Sequence, residues 1–240
     1  MRLFELAYTC RLFGELVGVD SATSELESVT RGRIDLDDEA HAKALLVWLN
    51  KWGCRQFAIA HHGEAGRMLA QWGDLWLPVL PKPSASLSQL KVRQLEVTAD
   101  AYADVKDRQA SQRVLKDGRV STVTVGATGA AKILHAVRPR VLPPWDDPMR
   151  VALGLDGDRD GYLRYLLDVQ AHCRNIESEA ASFGIAARDI PAALSRPASS
   201  LPKMIDEHYW ITLTRGHVPP SDEDLSRWAD WASVPSPSLP

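Results

Sequence analysis

The sequence predicts an all-α, or nearly all-α, fold. Apolar residues recur at helical spacings of three to five along most of the chain. Only one short stretch, 119–126, alternates β-branched residues as a strand does. Because 45% of the 240 residues are apolar, the chain can form a sizeable core. We therefore expect one helical domain over residues 1–232.

Helical patterning is clear in the first third of the chain. Apolar residues over 3–17 predict an amphipathic helix, and the polar run 19–35 after it is expected to be a loop. Aspartates within 35–38 place negative charge where a second helix, over 40–52, begins, as helix N-termini favour. The helical pattern then continues over 54–76.

The middle of the chain contains the main interruption of this pattern. The Pro-rich run 77–86 breaks the helix and is the best candidate for a boundary between two lobes. Helix-forming composition returns from 86 to about 112, and Asp117-Gly118 predicts a turn. The stretch 119–126 is either a short strand or an extended entry into the next helix, since no second clear strand exists to pair with it.

The last part of the chain returns to helical patterning, broken by loops. A Pro-rich loop over 138–145 and a Pro- and Ser-rich loop over 191–202 separate the segments. Gly184 suits the end of the longest helix. The predicted helices cover 128–137, a segment starting at Asp146, 160–183 and 201–216. Residues 233–240 contain too few apolar side chains to pack, so we expect a disordered tail.

Charge and cysteine content narrow the class of protein. The net charge of -3 and the pI of about 6.2 show no overall excess of cations, which argues modestly against a nucleic-acid partner. The three cysteines, Cys10, Cys54 and Cys173, are far apart, which favours a reducing compartment and argues against a cysteine-ligated metal. No stretch approaches the roughly 20 apolar residues of a membrane span. We expect a cytoplasmic protein with no membrane partner.

One segment has a recognisable motif. Residues 125–150 read VGATGAAKILHAVRPRVLPPWDDPMR and resemble the second half of the helix-hairpin-helix DNA glycosylase signature. In that signature a Gly-containing hairpin opens a helix, a Pro-containing loop follows, and a catalytic aspartate starts the next helix. Gly126 falls on a hairpin glycine, Ala130 on the small residue that allows close packing, and Asp146 on the catalytic aspartate. The resemblance implies the family's helical fold, DNA as partner, and hydrolysis of a base N-glycosidic bond without a metal or other cofactor.

The details of the motif point to one branch of that family. Its bifunctional members have a lysine nucleophile 18 positions before the aspartate, where this chain has Thr128. The chain therefore resembles the monofunctional members. It departs from the family in keeping one of two hairpin glycines within 124–127, and in having Asp147-Pro148 where Thr-His is common.

The residue types suit this chemistry independently of the family. Backbone N–H groups at Gly126, Thr128 and Gly129, around the start of a helix, are suited to hold a phosphate. A carboxylate such as Asp146 can stabilise the positive charge that develops on a sugar, or orient a water. Trp145 could stack on an extruded base. Candidate cations for clamping the phosphate backbone are Lys132, Arg138, Arg140 and Arg150.

Other interpretations of the same residues stay open. Asp146, followed by Asp147-Pro148, also suits a plain helix cap. Trp145 also suits a core position, and the four candidate cations also suit a solvent-exposed face. The chain is then a non-catalytic module of this fold that binds nucleic acid or protein, or an unrelated helical accessory protein. We expect no metal site. The run 156–162 resembles the start of a calcium-binding loop, but the twelfth position of that loop, where a glutamate is required, is Leu167. The pair His61-His62 has no visible third ligand.

Overall fold

The computed structural model describes residues 1–17, 20–221 and 223–227, and it is mostly helical, which confirms the predicted all-α class. The α-helices are α1 (Leu3–Val17), α2 (Ser21–Thr30), α3 (Glu39–Lys51), α4 (His62–Trp76), α5 (Val92–Asp107), α6 (Gly126–Val137), α7 (Asp147–Ala152), α8 (Arg159–Ser182), α9 (Ile190–Ala193) and α10 (Leu201–Tyr209). The short 3-10 helices are Ile59–His61, Leu87–Gln89 and Ala187–Asp189, and a π-helical turn, Trp210–Thr214, follows α10. The predicted tail 233–240 and residues 228–232 lie outside the described residues.

Helix α2 occupies part of the run that the sequence predicts as a loop. Asp20 caps it by accepting the Thr23 N–H at 3.1 Å, a common start for a helix. Ala22 and Leu26 recur at helical spacing and are buried. The loop prediction is wrong over 21–30. Two apolar residues among polar ones are enough to hold a helix in place once a neighbouring helix covers them. That neighbour is α3, which packs against α2.

Two strands form a hairpin where the sequence showed at most one. β1 (Gln109–Val114) pairs antiparallel with β2 (Val120–Thr124), and Gly118, at φ 81°, lies in the turn between them. The helix predicted to reach about 112 therefore ends at Asp107. β1 alternates no apolar residues and is largely exposed, so its sequence lacks the period-two signal of a half-buried strand.

Most helices of the second half begin where the sequence places them, but the segment predicted as a helix over 201–216 changes from α10 to the π-helical turn after Tyr209, and α9 lies at the start of the predicted loop 191–202. Asp146 caps α7, Asp158 caps α8, and Ser200 caps α10. Gly184, at φ 74°, follows the end of α8 in the left-handed region that glycine adopts easily. α8 is the longest of the described helices and packs against α5, α10 and α1.

The buried apolar side chains form one continuous cluster from α1 to α10. Its largest members are Trp72, Trp145, Tyr102, Tyr162 and Tyr165. Residues on both sides of the Pro-rich run 77–86 belong to this cluster. A division into two lobes at this run stays a prediction.

None of the described helices is both long enough and apolar enough to cross a lipid bilayer.

Candidate functional site

A wide cleft of about 1810 Å³ opens beside Asp146. Its walls come from α1, α2, the end of α3, α6, the loop before α7, and α10 with the loop before it. We call this space the Asp146 cleft. It brings together residues more than 190 positions apart in the chain, from Phe13 to Trp210.

Asp146 is half-buried, and only one of its two carboxylate oxygens bonds to the helix that it caps. Its Oδ1 accepts the backbone N–H of Met149 at 2.9 Å, the usual bond of an N-cap aspartate. Its backbone is extended, at φ −122° and ψ 168°, as a cap position requires. Among the described residues no donor bonds Oδ2. Because Asp146 lines the cleft, this second oxygen is available to a ligand or a water.

Four charged residues that the motif does not contain also line the cleft. We call them the α10 charge cluster: Arg196, Lys203, Asp206 and Glu207. Lys203 Nζ lies 2.6 Å from Asp206 Oδ2 and 3.6 Å from Glu207 Oε1. Arg196 Nη2 donates to Glu207 Oε1 at 2.9 Å. The spacing of three and four residues places Lys203 beside both carboxylates on one face of α10.

Burial gives this cluster unusual proton affinities. Burial, together with the negative charges of Glu207 and Asp146, outweighs the favourable Lys203 ammonium and raises the pKa of Asp206 to about 6. Burial alone would lower the pKa of Lys203, but Asp206 and Glu207 outweigh it and the pKa is raised. Lys203 therefore stays a cation, and Asp206 exchanges its proton close to neutral pH.

Two atoms of the cluster are buried without a partner among the described residues, Glu207 Oε2 and Arg196 Nη1. An unpaired buried polar group costs free energy, so such atoms usually meet water or a ligand. Both residues line the Asp146 cleft. The cluster thus has unused hydrogen-bonding capacity.

Aromatic rings stand beside these cations. Lys203 Nζ lies 5.5 Å from the Trp52 ring centroid and 5.6 Å from that of Phe13, within the range of a cation–π contact. Trp52 packs on Trp48 at a centroid distance of 4.2 Å, and Lys132 Nζ donates to the Trp52 carbonyl at 2.5 Å. Trp52 is half-buried and lines the cleft, with the His135 ring stacked on it at a centroid distance of 6.0 Å.

His135 adds a neutral hydrogen-bond acceptor to the same wall as Lys132. Burial, and then the charge of Lys203, lower the pKa of His135 to about 3, so the ring is neutral. Its Nδ1 is 2.8 Å from the Leu142 carbonyl. A carbonyl accepts only, which places the single ring proton on Nδ1 and leaves Nε2 as an acceptor. His135 lines the cleft and no described residue bonds Nε2.

No protein-family model, no curated protein and no solved structure matches this chain.

The resemblance to helix-hairpin-helix glycosylases therefore depends on residues 125–150. In the structure β2 runs into Val125, whose N–H donates to the Arg108 carbonyl at 2.9 Å. Gly126 follows at φ 70° and begins α6. Gly126 and Thr128 are half-buried and remain predicted phosphate contacts. Thr128 Oγ1 lies 3.5 Å from Asp147 Oδ1, so the starts of α6 and α7 lie side by side.

Two of the residues predicted to bind nucleic acid lie in the interior. Trp145 is 1% exposed and packs between Tyr162 and Tyr165, with its Nε1–H donated to the Ala127 carbonyl. Gly129 is buried, and a Cβ there would lie 2.5 Å from Gln56 Nε2. The expectations that Trp145 stacks on a base and that Gly129 holds a phosphate are corrected accordingly, because Trp145, although it borders the cleft, is 1% exposed and Gly129 is buried.

The four predicted cations fall into different settings. Arg138 donates to the Pro81 carbonyl at 2.6 Å and the Leu77 carbonyl at 3.0 Å, so its guanidinium ties the Pro-rich run to α6. Arg150 pairs with Asp147 and donates to the Leu155 carbonyl outside the cleft. Arg140 is exposed at the cleft and bonds to none of the described residues. Lys132 and Arg140 are thus the two that best fit a ligand in the cleft.

The balance of charge in the cleft differs from that of the whole chain. Seven Lys or Arg residues and five Asp or Glu residues line it, whereas the chain has a net charge of -3. The acidic pI is therefore a poor guide to the partner, since local potential decides what enters a cleft.

No group of three or more His, Cys, Asp or Glu side chains within the described residues is arranged to hold a metal ion. The three cysteines are buried and free. Burial raises the pKa of each thiol, that of Cys10 to about 12, which suppresses the reactive thiolate.

Proposed function

We propose that this chain is a helix-hairpin-helix DNA glycosylase-like protein that hydrolyses a base N-glycosidic bond in DNA, with Asp146 as the essential carboxylate, in the cytoplasm. The observation that carries the proposal is the geometry of Asp146. One oxygen caps α7, and the other accepts from no donor of the described residues and lies at a wide cleft.

The proposed role of Asp146 follows from the charge that develops during the reaction. As the C1′–N bond breaks, the sugar becomes oxocarbenium-like and positive. A fixed carboxylate lowers the barrier by stabilising that charge, and it can also orient the attacking water. The α7 cap holds Asp146 in one orientation through a backbone bond, which suits a pre-organised electrostatic role.

The cleft also offers what an extruded base needs. Enzymes of this kind take the base out of the stack and hold it against aromatic side chains. Trp52 provides such a ring, and His135 Nε2 provides an acceptor for a base N–H. Trp52 thus takes the role that the sequence suggested for Trp145.

Contacts to the DNA backbone are proposed at two places, the N-terminus of α6, which is outside the cleft lining, and the cleft itself. The N-terminus of α6, at Gly126 and Thr128, presents backbone N–H groups to a phosphate. Arg140 and Lys132 supply positive charge at the cleft.

The test is base release from oligonucleotides carrying deaminated, oxidised or alkylated bases at low salt, with Asp146→Asn against Asp147→Asn. Asp147 is the matched control because it is the adjacent carboxylate, is exposed, and does not line the cleft. We expect Asp146→Asn to lower the rate about 100-fold or more and Asp147→Asn to leave it within about threefold. Release that persists unchanged in Asp146→Asn contradicts the proposal.

A second candidate is a non-catalytic module of this fold that binds nucleic acid. The cap bond from Met149 to Asp146 favours it, because the cap alone is sufficient reason for an aspartate there. It predicts DNA binding without release of any base, and binding that Asp146→Asn leaves unchanged.

A further inference from the structure

Asp206 is a second carboxyl group of the same cleft, placed unlike Asp146. It is 7% exposed and lies on α10, and its Oδ2 accepts from Lys203. No described residue bonds its Oδ1, and Asp206 lines the cleft. Asp206 therefore has one oxygen held by a cation and one oxygen available to a ligand.

Charged and titratable groups from several elements surround this carboxyl. On its own helix they are Lys203 and Glu207, with Arg196 paired to Glu207 from the preceding loop. Asp146 acts on it from the start of α7, and the Tyr165 phenol of α8 lies within the range of its charge. Burial and two neighbouring carboxylates favour a protonated Asp206, and Lys203 limits the effect.

The two carboxyl groups are thus suited to different tasks. Asp146 accepts a backbone N–H, an interaction that stabilises a carboxylate. Asp206 has a pKa raised to about 6, so at pH 7 about one molecule in ten holds the proton. A carboxyl group that keeps its proton near neutral pH can act as an acid beside a carboxylate that stabilises charge.

We propose that Asp206 is the general acid that protonates the departing base, and that the substrate is a neutral base rather than a cationic alkylated one; this inference rests on the function proposed above. The Asp206 proton moves to a nitrogen or oxygen of the base as the C1′–N bond breaks and its electron pair leaves with the base. A water oxygen bonds to C1′, and the water proton passes to solvent by way of Asp146. Solvent then reprotonates Asp206.

The substrate class follows from what each leaving group needs. A neutral base would leave as an anion unless it gains a proton, so a general acid lowers its barrier. A purine alkylated at N3 or N7 is a cation and leaves as a neutral molecule without help. Lys203 Nζ, 5.5 Å from the Trp52 centroid, also repels a cationic base packed on that ring.

The experiment compares Asp206→Asn with wild type on two oligonucleotides that differ in one base, either neutral hypoxanthine or cationic 7-methylguanine. Asn keeps an oxygen for Lys203 but has no acidic proton. We expect wild type to release hypoxanthine faster than 7-methylguanine, and the reverse order would overturn the substrate class. In Asp206→Asn the release of hypoxanthine should fall about 100-fold, and the slow release of 7-methylguanine should change less than about threefold. Wild-type kcat/KM for hypoxanthine should fall as pH rises above about 6, and Asp206→Asn should lose this fall while Asp206→Glu restores it.

The outcomes separate this inference from the function on which it rests. Equal losses on both bases, with no change of pH profile, overturn the general-acid role and leave Asp206 as a partner of Lys203. Loss of all release in Asp146→Asn, with full hypoxanthine release in Asp206→Asn, overturns this inference alone. No release of either base by wild type overturns both proposals.

Discussion

The two walls of the Asp146 cleft are built in opposite ways. The wall formed by α6 and the start of α7 comes from one contiguous motif, and its carboxylate is half-buried on a backbone cap. The wall formed by α10 contains four charged side chains that bond chiefly to one another. The first wall is recognisable from residue order. The α10 wall is recognisable only once the burial of its side chains is known. A sequence motif can therefore locate a cleft without showing most of the charged residues that line it.

The largest expected effect is a difference in stability loss between two tryptophan variants. One tryptophan is Trp145, which adjoins the motif aspartate, and the other is Trp52. Trp145→Ala removes a ring that is 1% exposed and packs on Tyr162 and Tyr165. We expect the free energy of unfolding to fall by about 3–5 kcal/mol, measured by urea denaturation. Trp52→Ala, at a half-buried position, should cost about 2 kcal/mol or less and weaken binding of DNA with an extrahelical base. Similar stability losses in both variants would show that both rings belong to the core.

The next prediction tests whether the α10 wall is an electrostatic unit. Lys203→Met leaves Asp206 without its cation and Glu207 with Arg196 alone, so we expect a loss of about 3 kcal/mol of stability at pH 8. The pKa of Asp206 is higher in the folded protein than in the unfolded chain, so the folded state loses stability as pH rises between these two values. Since the variant raises the pKa of Asp206 further, the loss should shrink as pH falls from 8 to 5.

Lys132→Met is the control for that measurement because Lys132 is a cation of α6 that lines the same cleft and also lies beside the Trp52 ring. Its Nζ donates to a backbone carbonyl rather than to a carboxylate, so its loss should be about 1 kcal/mol. That loss should not vary between pH 5 and pH 8. A pH-independent loss in Lys203→Met as well would show that packing, and not charge, accounts for its effect.

Local chemistry explains which parts of the fold the sequence could predict. Caps and stops are decided by single residues, so the starts at Asp38 and Asp146 and the stop near Gly184 agree with the structure. β1 could not be predicted, because Gln109, Ser111 and Gln112 have no strand pattern and the strand exists by pairing with β2. Helix α2 likewise depends on its contact with α3.

The candidate site divides in the same way. Asp146 could be proposed as a site residue because it belongs to a short, ordered motif. Lys203, Asp206 and Glu207 were not among the predicted site residues, since a charged run on a helix usually faces water. One signal was present: Met204 and Ile205 stand between the charges, and both are 0% exposed. A helix with apolar residues between its charges is buried on more than one face, and its charges then need partners.

The smallest expected effect on stability is also the sharpest test of the motif wall. Asp146→Ala removes the cap of α7 and should cost about 1 kcal/mol, whereas Asp146→Asn keeps an acceptor and should cost a few tenths, about 0.3 kcal/mol. Base release should be lost in both variants, because neither retains a negative charge. Thermal unfolding and base release measured on the same samples separate the two roles of Asp146.

Asp158→Ala is the matched control, since Asp158 caps α8 through a 2.8 Å bond from the Gly161 N–H and lies outside the cleft. It should cost a similar free energy and leave base release unchanged. If Asp146→Asn keeps full release while Asp146→Ala only loses stability, Asp146 acts as a cap alone. Asp206 of the α10 wall, whose Oδ1 no described residue bonds, is then the next carboxyl group of the cleft to test.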